Sequence, residues 1–159
     1  MEFYIAGFGK GFVFWDEEGF LRKIILPGEK GISEEVVAAE ARRYPGSSGT
    51  HPFLAALEEY LQGRRRDLAF PYRLEGTDFQ KRVWQALAEI PYGETRTYKQ
   101  IAAAAGSPGA ARAVGQACGA NPLPLLIPCH RVVASGGLGG FGGGEPLKKY
   151  LLRLEGVKI

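Results

Sequence analysis

Residues 97 to 133 read TYKQIAAAAGSPGAARAVGQACGANPLPLLIPCHRVV, and the two halves of this stretch have different textures. The first half is dominated by alanine and glycine. It predicts a helix from about Tyr98 to Ala105 and a break at Gly106-Ser107. Ser107 as cap with Pro108 at the first helical position then predicts a second helix. Two small-residue helices joined by a short glycine turn have the texture of a helix-turn-helix, although an antiparallel pair inside a core would use the same residues. Arg112, in the first turns of the second helix and expected to be exposed, favours a surface that meets a partner.

The second half carries Pro122, Pro124 and Pro128, which fix the backbone and remove amide donors, so a rigid, extended, mostly buried passage is expected. It delivers Cys129 beside His130 and Arg131, two groups able to favour a thiolate over a thiol. A cysteine in an apolar stretch is usually inert packing, but the Cys-His-Arg neighbours point to a nucleophile. Neighbours on an extended strand face opposite ways, so His130 reaches the sulfur only if the chain turns there or a water bridges them.

Seven of the 23 glycines fall between Gly136 and Gly144, a loop where a flat ligand can approach bare backbone. A hairpin tip is the plainer reading. Glu145-Pro146 then opens a last helix whose Leu147, Tyr150, Leu151 and Leu154 should dock on the core. Glu155 near its end opposes the helix dipole, which points to another partner for its charge.

Outward from this segment, 1–8, 11–16 and 20–26 are short aromatic and β-branched runs split by turn residues, as in an antiparallel meander. Ser33 caps a predicted helix ending before Pro45-Gly46, and a second should begin after Thr50 and stop at Gly63. Leu68 to Leu74 has strand composition, confined by Pro71 to an edge or an irregular extension. Glu75-Gly76 makes a boundary, and Thr77-Asp78-Phe79-Gln80 is a capping box before a helix with Phe79, Val83, Trp84, Leu87 and Ile90 on one stripe. The expectation is an α+β protein: a strand-rich domain over 1–76 and a mainly helical domain over 77–159 with the helix-turn-helix and the cysteine.

At 159 residues, 45% hydrophobic and 23% charged, the chain is long enough for a proper core and unlike a disordered or fibrous sequence. No apolar stretch reaches membrane-spanning length, and the start MEFYIAGFGK lacks a basic leader, so a cytoplasmic protein is expected. Cys118 and Cys129 are too few for a disulfide framework, and reduced thiols are expected. With His51 and His130 they show no metal-ligand spacing, so no metal is expected. Residues 1 to 76 carry 10 Lys and Arg against 12 Asp and Glu, whereas 77 to 159 carry 10 against 5, so the half with the helix pair is the basic one. That asymmetry fits a footprint on a polyanion, though solvated surface charge also produces it.

Ile127-Pro128-Cys129-His130-Arg131-Val132-Val133, preceded by Ala-Ala-Arg-Ala-Val-Gly at 110 to 115 and by Asn121-Pro122, closely resembles the O6-alkylguanine-DNA alkyltransferase family. The resemblance spans Phe79 to Gly156 and includes the terminal Leu154-Glu155-Gly156. It implies a repair protein that flips a damaged guanine out of duplex DNA and moves the O6 alkyl group onto Cys129, being consumed in one turnover without a cofactor.

By the same resemblance His130 takes the thiol proton through a water, Glu155 holds the far ring nitrogen, and Tyr98 donates toward the departing guanine and crowds the flanking phosphate. Arg112 fills the vacated base stack from the minor groove, with Ala111, Gly115 and Tyr98 completing the DNA-binding set. The backbone of Cys129 and Val132 and the amide of Gly142 read the guanine. Phe141, where many members carry tyrosine, and Pro124 belong to the substrate site, and Asn121 braces the turn before the cysteine. The implied partner is double-stranded DNA containing O6-alkylguanine, met by a monomer with no obligatory protein partner. Two other readings use the same residues: a noncatalytic lesion-binding or regulatory module, and a Cys-His hydrolase of acyl substrates. The first has no use for the nucleophile segment, and the second leaves the basic helix pair unexplained.

Overall fold

The computed structural model describes residues 1–29 and 32–159. The three amino-terminal runs form strands β1 (Glu2–Ile5), β2 (Gly9–Trp15) and β3 (Leu21–Ile25), an antiparallel sheet in the order β1-β2-β3 with Phe3 opposite Gly11 and Val13 opposite Ile24. Gly11 is obligatory there, because a Cβ would lie 2.3 Å from the Phe3 ring. Alternation assigns the faces: Val13 and Trp15 enter the main core, whereas Phe14 packs with Ile25 and Tyr44 in a smaller cluster on the other side.

Helix α1 (Glu34–Arg43) starts at Ser33, whose Oγ accepts from the Val36 amide at 3.2 Å. Helix α2 (Pro52–Leu61) is capped by His51 through Nδ1, which accepts from the Phe53 amide at 3.0 Å; a histidine cap lies outside the usual cap residues. Leu68 to Leu74 takes the second of its two expected forms, an irregular extension without a strand. Leu21 makes a single bridge to Tyr72, with Leu21 N donating to Pro71 O at 3.0 Å and Arg73 N to Leu21 O at 3.1 Å, and Pro71 has no amide to extend a ladder.

Helix α3 (Asp78–Ala88) carries the Thr77/Gln80 capping box and buries Val83, Trp84 and Leu87. Helices α4 (Tyr98–Ala104) and α5 (Ala111–Gly119) form the helix pair. Here the expected restart at Pro108 is corrected: Ser107 O accepts from Ala110 N at 3.0 Å in a turn, Gly109 has a φ of 92°, and α5 begins three residues after Pro108 without a side-chain cap. The left-handed glycine breaks the helical run that the serine and proline would have started. Trp84 Nε1 donates to Ala117 O at 2.9 Å and pins α5 to α3.

A short parallel pair, β4 (Arg96–Thr97) with β5 (Val132–Val133), ties the start of α4 to the chain just beyond Cys129, and α6 (Glu145–Leu154) closes the fold. One apolar core runs across the compositional boundary at Gly76, joining Phe53, Leu57 and Tyr60 to Val83, Ile101, Val114, Ile127 and Leu151. The Ile24 amide, donating to Pro122 O at 2.8 Å, stitches the sheet to the proline segment. Among the described residues no helix is long and apolar enough to cross a membrane.

Candidate active site

Asn121 organises the proline segment from inside. Its Nδ2 donates to Ile127 O at 2.8 Å and its Oδ1 accepts from Leu123 N at 2.9 Å, closing a tight loop that holds Leu125 at a φ of 75°. A non-glycine residue in that conformation is strained, and the two amide bonds hold it there. The chain beyond does not stay extended as the prolines imply. Cys129–Arg131 forms a 3-10 turn, with Arg131 N donating to Pro128 O at 3.0 Å, and this turn directs consecutive side chains into different surroundings.

Cys129 lines a cavity of about 310 Å3 together with Tyr98, Gly115, Cys118, Gly119, Gly140, Phe141 and Gly142. A larger groove, about 660 Å3 between β1 and α2, contains neither cysteine. Tyr98 is set in the cavity wall by the β4–β5 pair and by Gly139, where φ is 74° and a Cβ would stand 2.7 Å from the tyrosine hydroxyl. Glycine at that position lets the loop close over the ring. Burial raises the Tyr98 phenol above its ordinary value, with Cys118 and Cys129 adding to the effect, so it remains a proton donor at neutral pH.

His130 is fully buried and its Nε2 lies 2.8 Å from Glu155 Oε2. An ionised carboxylate only accepts, so Nε2 carries the hydrogen and Nδ1 keeps a free lone pair. Among the described residues Nδ1 has no hydrogen-bond partner. Burial lowers the His130 pKa, outweighing the pull of Glu155, and the ring is neutral at pH 7. Burial alone would raise Glu155. Hydrogen bonds from His130 and Arg131, with Tyr60 adding a further one, instead hold it well below the usual carboxylate range.

Arg131 does not face the sulfur. Its Nε and Nη2 donate to Glu155 Oε1 and Oε2 at 2.7 and 2.9 Å, and its Nη1 donates to Ile90 O at 2.7 Å. The expectation of a thiolate favoured by His130 and Arg131 is therefore corrected: burial pushes the Cys129 thiol up to about 11, against the smaller opposing effects of Asn121 and Lys148. Cys118 is pushed up further, to about 12. A resting thiol that must lose its proton during reaction is the state this site presents.

The other anticipated residues fall into three groups. Arg112 stands exposed and Ala111 half-buried on the first turn of α5, with Gly115 one turn further on at the cavity. Phe141 and Gly142 are at the cavity mouth, and the Phe141 ring lies 6.4 Å from that of His130. Asn121, Pro124 and Val132 are buried and do not line this cavity, although Asn121 lines an adjoining groove that shares Phe141 and Gly142 with it. The Val132 carbonyl already accepts from Lys148 Nζ at 2.6 Å.

Lys148 and Tyr60 escaped sequence reasoning, and the sequence marks Arg131 as a neighbour of the thiol and not as the partner of Glu155. Lys148 is fully buried and also donates to Gly140 O at 3.0 Å, bracing the glycine loop against β5. It sits on the stripe of α6 that includes Leu147 and Leu151, a lysine on an apolar face, which was the available signal. Tyr60 looks like any core aromatic of α2, and no local pattern marks it.

A buried thiol behind a helix-turn-helix, in a cavity edged by glycine backbone and beside a neutral base joined to a carboxylate, defines a DNA-binding protein built for covalent transfer to cysteine. Residues 78–157 match the family model described as 6-O-methylguanine DNA methyltransferase, DNA binding domain. The inducible methylated-DNA--protein-cysteine methyltransferase of Bacillus subtilis is 41% identical over 160 residues, covering 96% of this chain and 83% of the relative. The methylated-DNA--protein-cysteine methyltransferase of Methanosarcina barkeri is 54% identical over 141 residues, 88% of this chain and 86% of the relative. Among solved structures, Mycobacterium tuberculosis OGT in complex with DNA superposes with a TM-score of 0.77 at 34% identity, covering 97% of this chain and 90% of that one. The O6-methylguanine-DNA methyltransferase of Pyrococcus kodakaraensis gives 0.71 at 28% identity, covering 99% and 98%. The chain belongs to the O6-methylguanine-DNA methyltransferase family.

Proposed function

We propose that this protein repairs DNA by taking O6-alkylguanine out of the duplex and transferring the alkyl group irreversibly to its own Cys129. The observation that carries this reading is what one short turn holds together: Cys129 on the cavity wall and, next in the chain, His130 with an unpartnered Nδ1 and with Glu155 on Nε2. Through a water, Nδ1 takes the Cys129 proton. The sulfur then attacks the alkyl carbon, the carbon–O6 bond breaks, and its electron pair leaves with guanine as an anion. Tyr98, a protonated phenol in the same cavity, donates toward that anion. The thioether offers water no acyl or phosphoryl centre, so each molecule acts once.

The DNA side of the reading assigns α5 to the minor groove, with Arg112 filling the gap left by the flipped base and Ala111 and Gly115 permitting close approach. Gly142 and the backbone around Cys129 read the guanine; Val132 contributes only through the second lone pair of its carbonyl, since Lys148 holds the first. Asn121 and Pro124 act from behind, by fixing the turn that presents the thiol. The protein works as a monomer on duplex DNA and in the cytoplasm, where both thiols stay reduced.

Intact-mass measurement after incubation with a duplex containing O6-methylguanine tests this. One methyl group per protein, found on Cys129 and not on Cys118 after digestion, is expected. Label on Cys118, or product beyond one equivalent, would sink the reading.

A further inference from the structure

The carboxylate of Glu155 is served from the other half of the chain. Tyr60, on α2 and 95 positions earlier, is 1% exposed, and its hydroxyl donates to Glu155 Oε2. Its ring packs edge-on against Tyr92, with centroids 6.2 Å apart at 88°, and Tyr92 spends its own hydroxyl on Leu154 O at 3.2 Å. A phenylalanine would fill the same space. The hydroxyl therefore adds nothing to apolar packing and is stable there only because it is bonded.

Its acceptor is also the oxygen that matters to the transfer chemistry. Oε2 receives His130 Nε2 at 2.8 Å, Arg131 Nη2 at 2.9 Å and the Tyr60 hydroxyl, three donors for two in-plane lone pairs. Each donor draws charge from that oxygen and weakens its hold on the others. We infer that Tyr60 is a positioning residue of the transfer relay, by which the amino-terminal half of the chain sets the proton affinity of His130. The inference rests on the reading of His130 as the acceptor of the Cys129 proton. An imidazole too strongly attracted to Glu155 would be protonated already and unable to accept; the competing phenol adds to burial in keeping it neutral. Arg131 on the 3-10 turn and Lys148 on α6 act in the same direction.

The test uses the intact protein and its two histidines, His51 and His130, whose ring signals are followed by NMR across pH. In Tyr60→Phe the His130 midpoint should rise by roughly half a pH unit or more, because one competitor for Oε2 is gone. The acid limb of the single-turnover transfer rate should move the same way, with affinity for duplex DNA unchanged within about twofold. Tyr92→Phe removes a neighbouring hydroxyl that does not touch Glu155 and should leave the midpoint in place. Fluorotyrosine installed at position 60, a stronger donor of almost the same shape, should lower the midpoint, and it decides the matter if the phenylalanine variant does not fold. A His130 midpoint indifferent to both changes, in a protein that still alkylates Cys129, overturns the inference. Absence of alkyl transfer in the unmodified protein overturns the functional reading instead, and the ring titration then still reports whether Tyr60 governs His130.

Discussion

Arg131 grips Glu155 with two parallel hydrogen bonds, Nε to Oε1 at 2.7 Å and Nη2 to Oε2 at 2.9 Å, so the residue two places after the nucleophile neutralises the acid that serves its base. Three consecutive residues thus divide the work. Cys129 faces the cavity, His130 the buried relay, and Arg131 the charge that makes a buried carboxylate tolerable.

Replacing Arg131 with Met should accordingly cost about 3–5 kcal/mol of folding stability, because Glu155 would remain buried with its main compensating charge removed. Urea denaturation of the variant checks this. A loss below about 1 kcal/mol would mean that the pair behaves as a surface bridge does.

The same network dictates the acid response. Glu155 is held below its ordinary 4.5 and His130 below its ordinary 6.5, so the unfolded chain binds more protons than the folded one. The stability these groups contribute is fully present above those ordinary values. His130's share begins to be lost as pH falls below about 6.5 and that of Glu155 below about 4.5. Denaturation midpoints between pH 7 and 4 should fall more steeply for the unmodified protein than for a His130→Asn/Glu155→Gln double variant, even though the variant starts lower. Parallel slopes would place the acid response elsewhere.

Cys129, pushed up to about 11, should be a poor target for simple alkylators despite its assigned role. Its iodoacetamide labelling rate, read by mass spectrometry, should climb about tenfold per pH unit between 7 and 9, because only the thiolate reacts. A rate already high and flat at pH 7 would show a resting thiolate and remove the need for His130 as base.

These contrasts explain what could be read before the structure. The capping box at Thr77 and Gln80, the meander and the breaks around the alanine helices are local, encoded within a few residues, and the chain alone displays them. Pro71 was the local signal that Leu68 to Leu74 could be an irregular extension, since strand composition without an amide yields a bridge and not a strand. Gly109 overrode the serine-proline start signal because a left-handed glycine ends a helical run whatever precedes it. At the site, Cys129, His130 and Glu155 could be named because two are adjacent and the third opposes its helix dipole. The environment that raises the thiol instead of lowering it comes from burial, which no local pattern encodes. Tyr60 and Lys148 act across 95 and 16 residues, distances at which only the folded core supplies the pairing.

Arg112 projects from the first turn of α5, exposed and without a protein partner to hold it among the described residues. Its replacement by Ala should therefore leave stability within about 0.5 kcal/mol while slowing repair of duplex DNA far more than dealkylation of free O6-benzylguanine. Unstacking a base costs a few kcal/mol, and an inserted side chain offsets part of it, whereas the free base never enters a stack. Single-turnover rates on both substrates decide between this and a role in the cavity, for which the two losses would be equal.

Glu155→Gln separates binding from chemistry, since the residue is 4% exposed and its carboxylate is taken up by His130 and Arg131. Duplex affinity should change less than about twofold, while alkyl transfer at neutral pH slows by about tenfold or more. An amide is a weaker acceptor for Nε2–H and no longer stabilises the imidazolium formed when Nδ1 takes the thiol proton. It also leaves Arg131 with an unpaired charge, so stability must be measured beside the rate. The rate deficit should shrink as pH rises, because the fraction of Cys129 that ionises without help grows toward its value of about 11 and the base matters less. A deficit constant across pH would point to misplaced groups rather than to lost proton acceptance. Wild-type rates at pH 7 would confine Glu155 to pairing with Arg131, and His130 would then have to act without it.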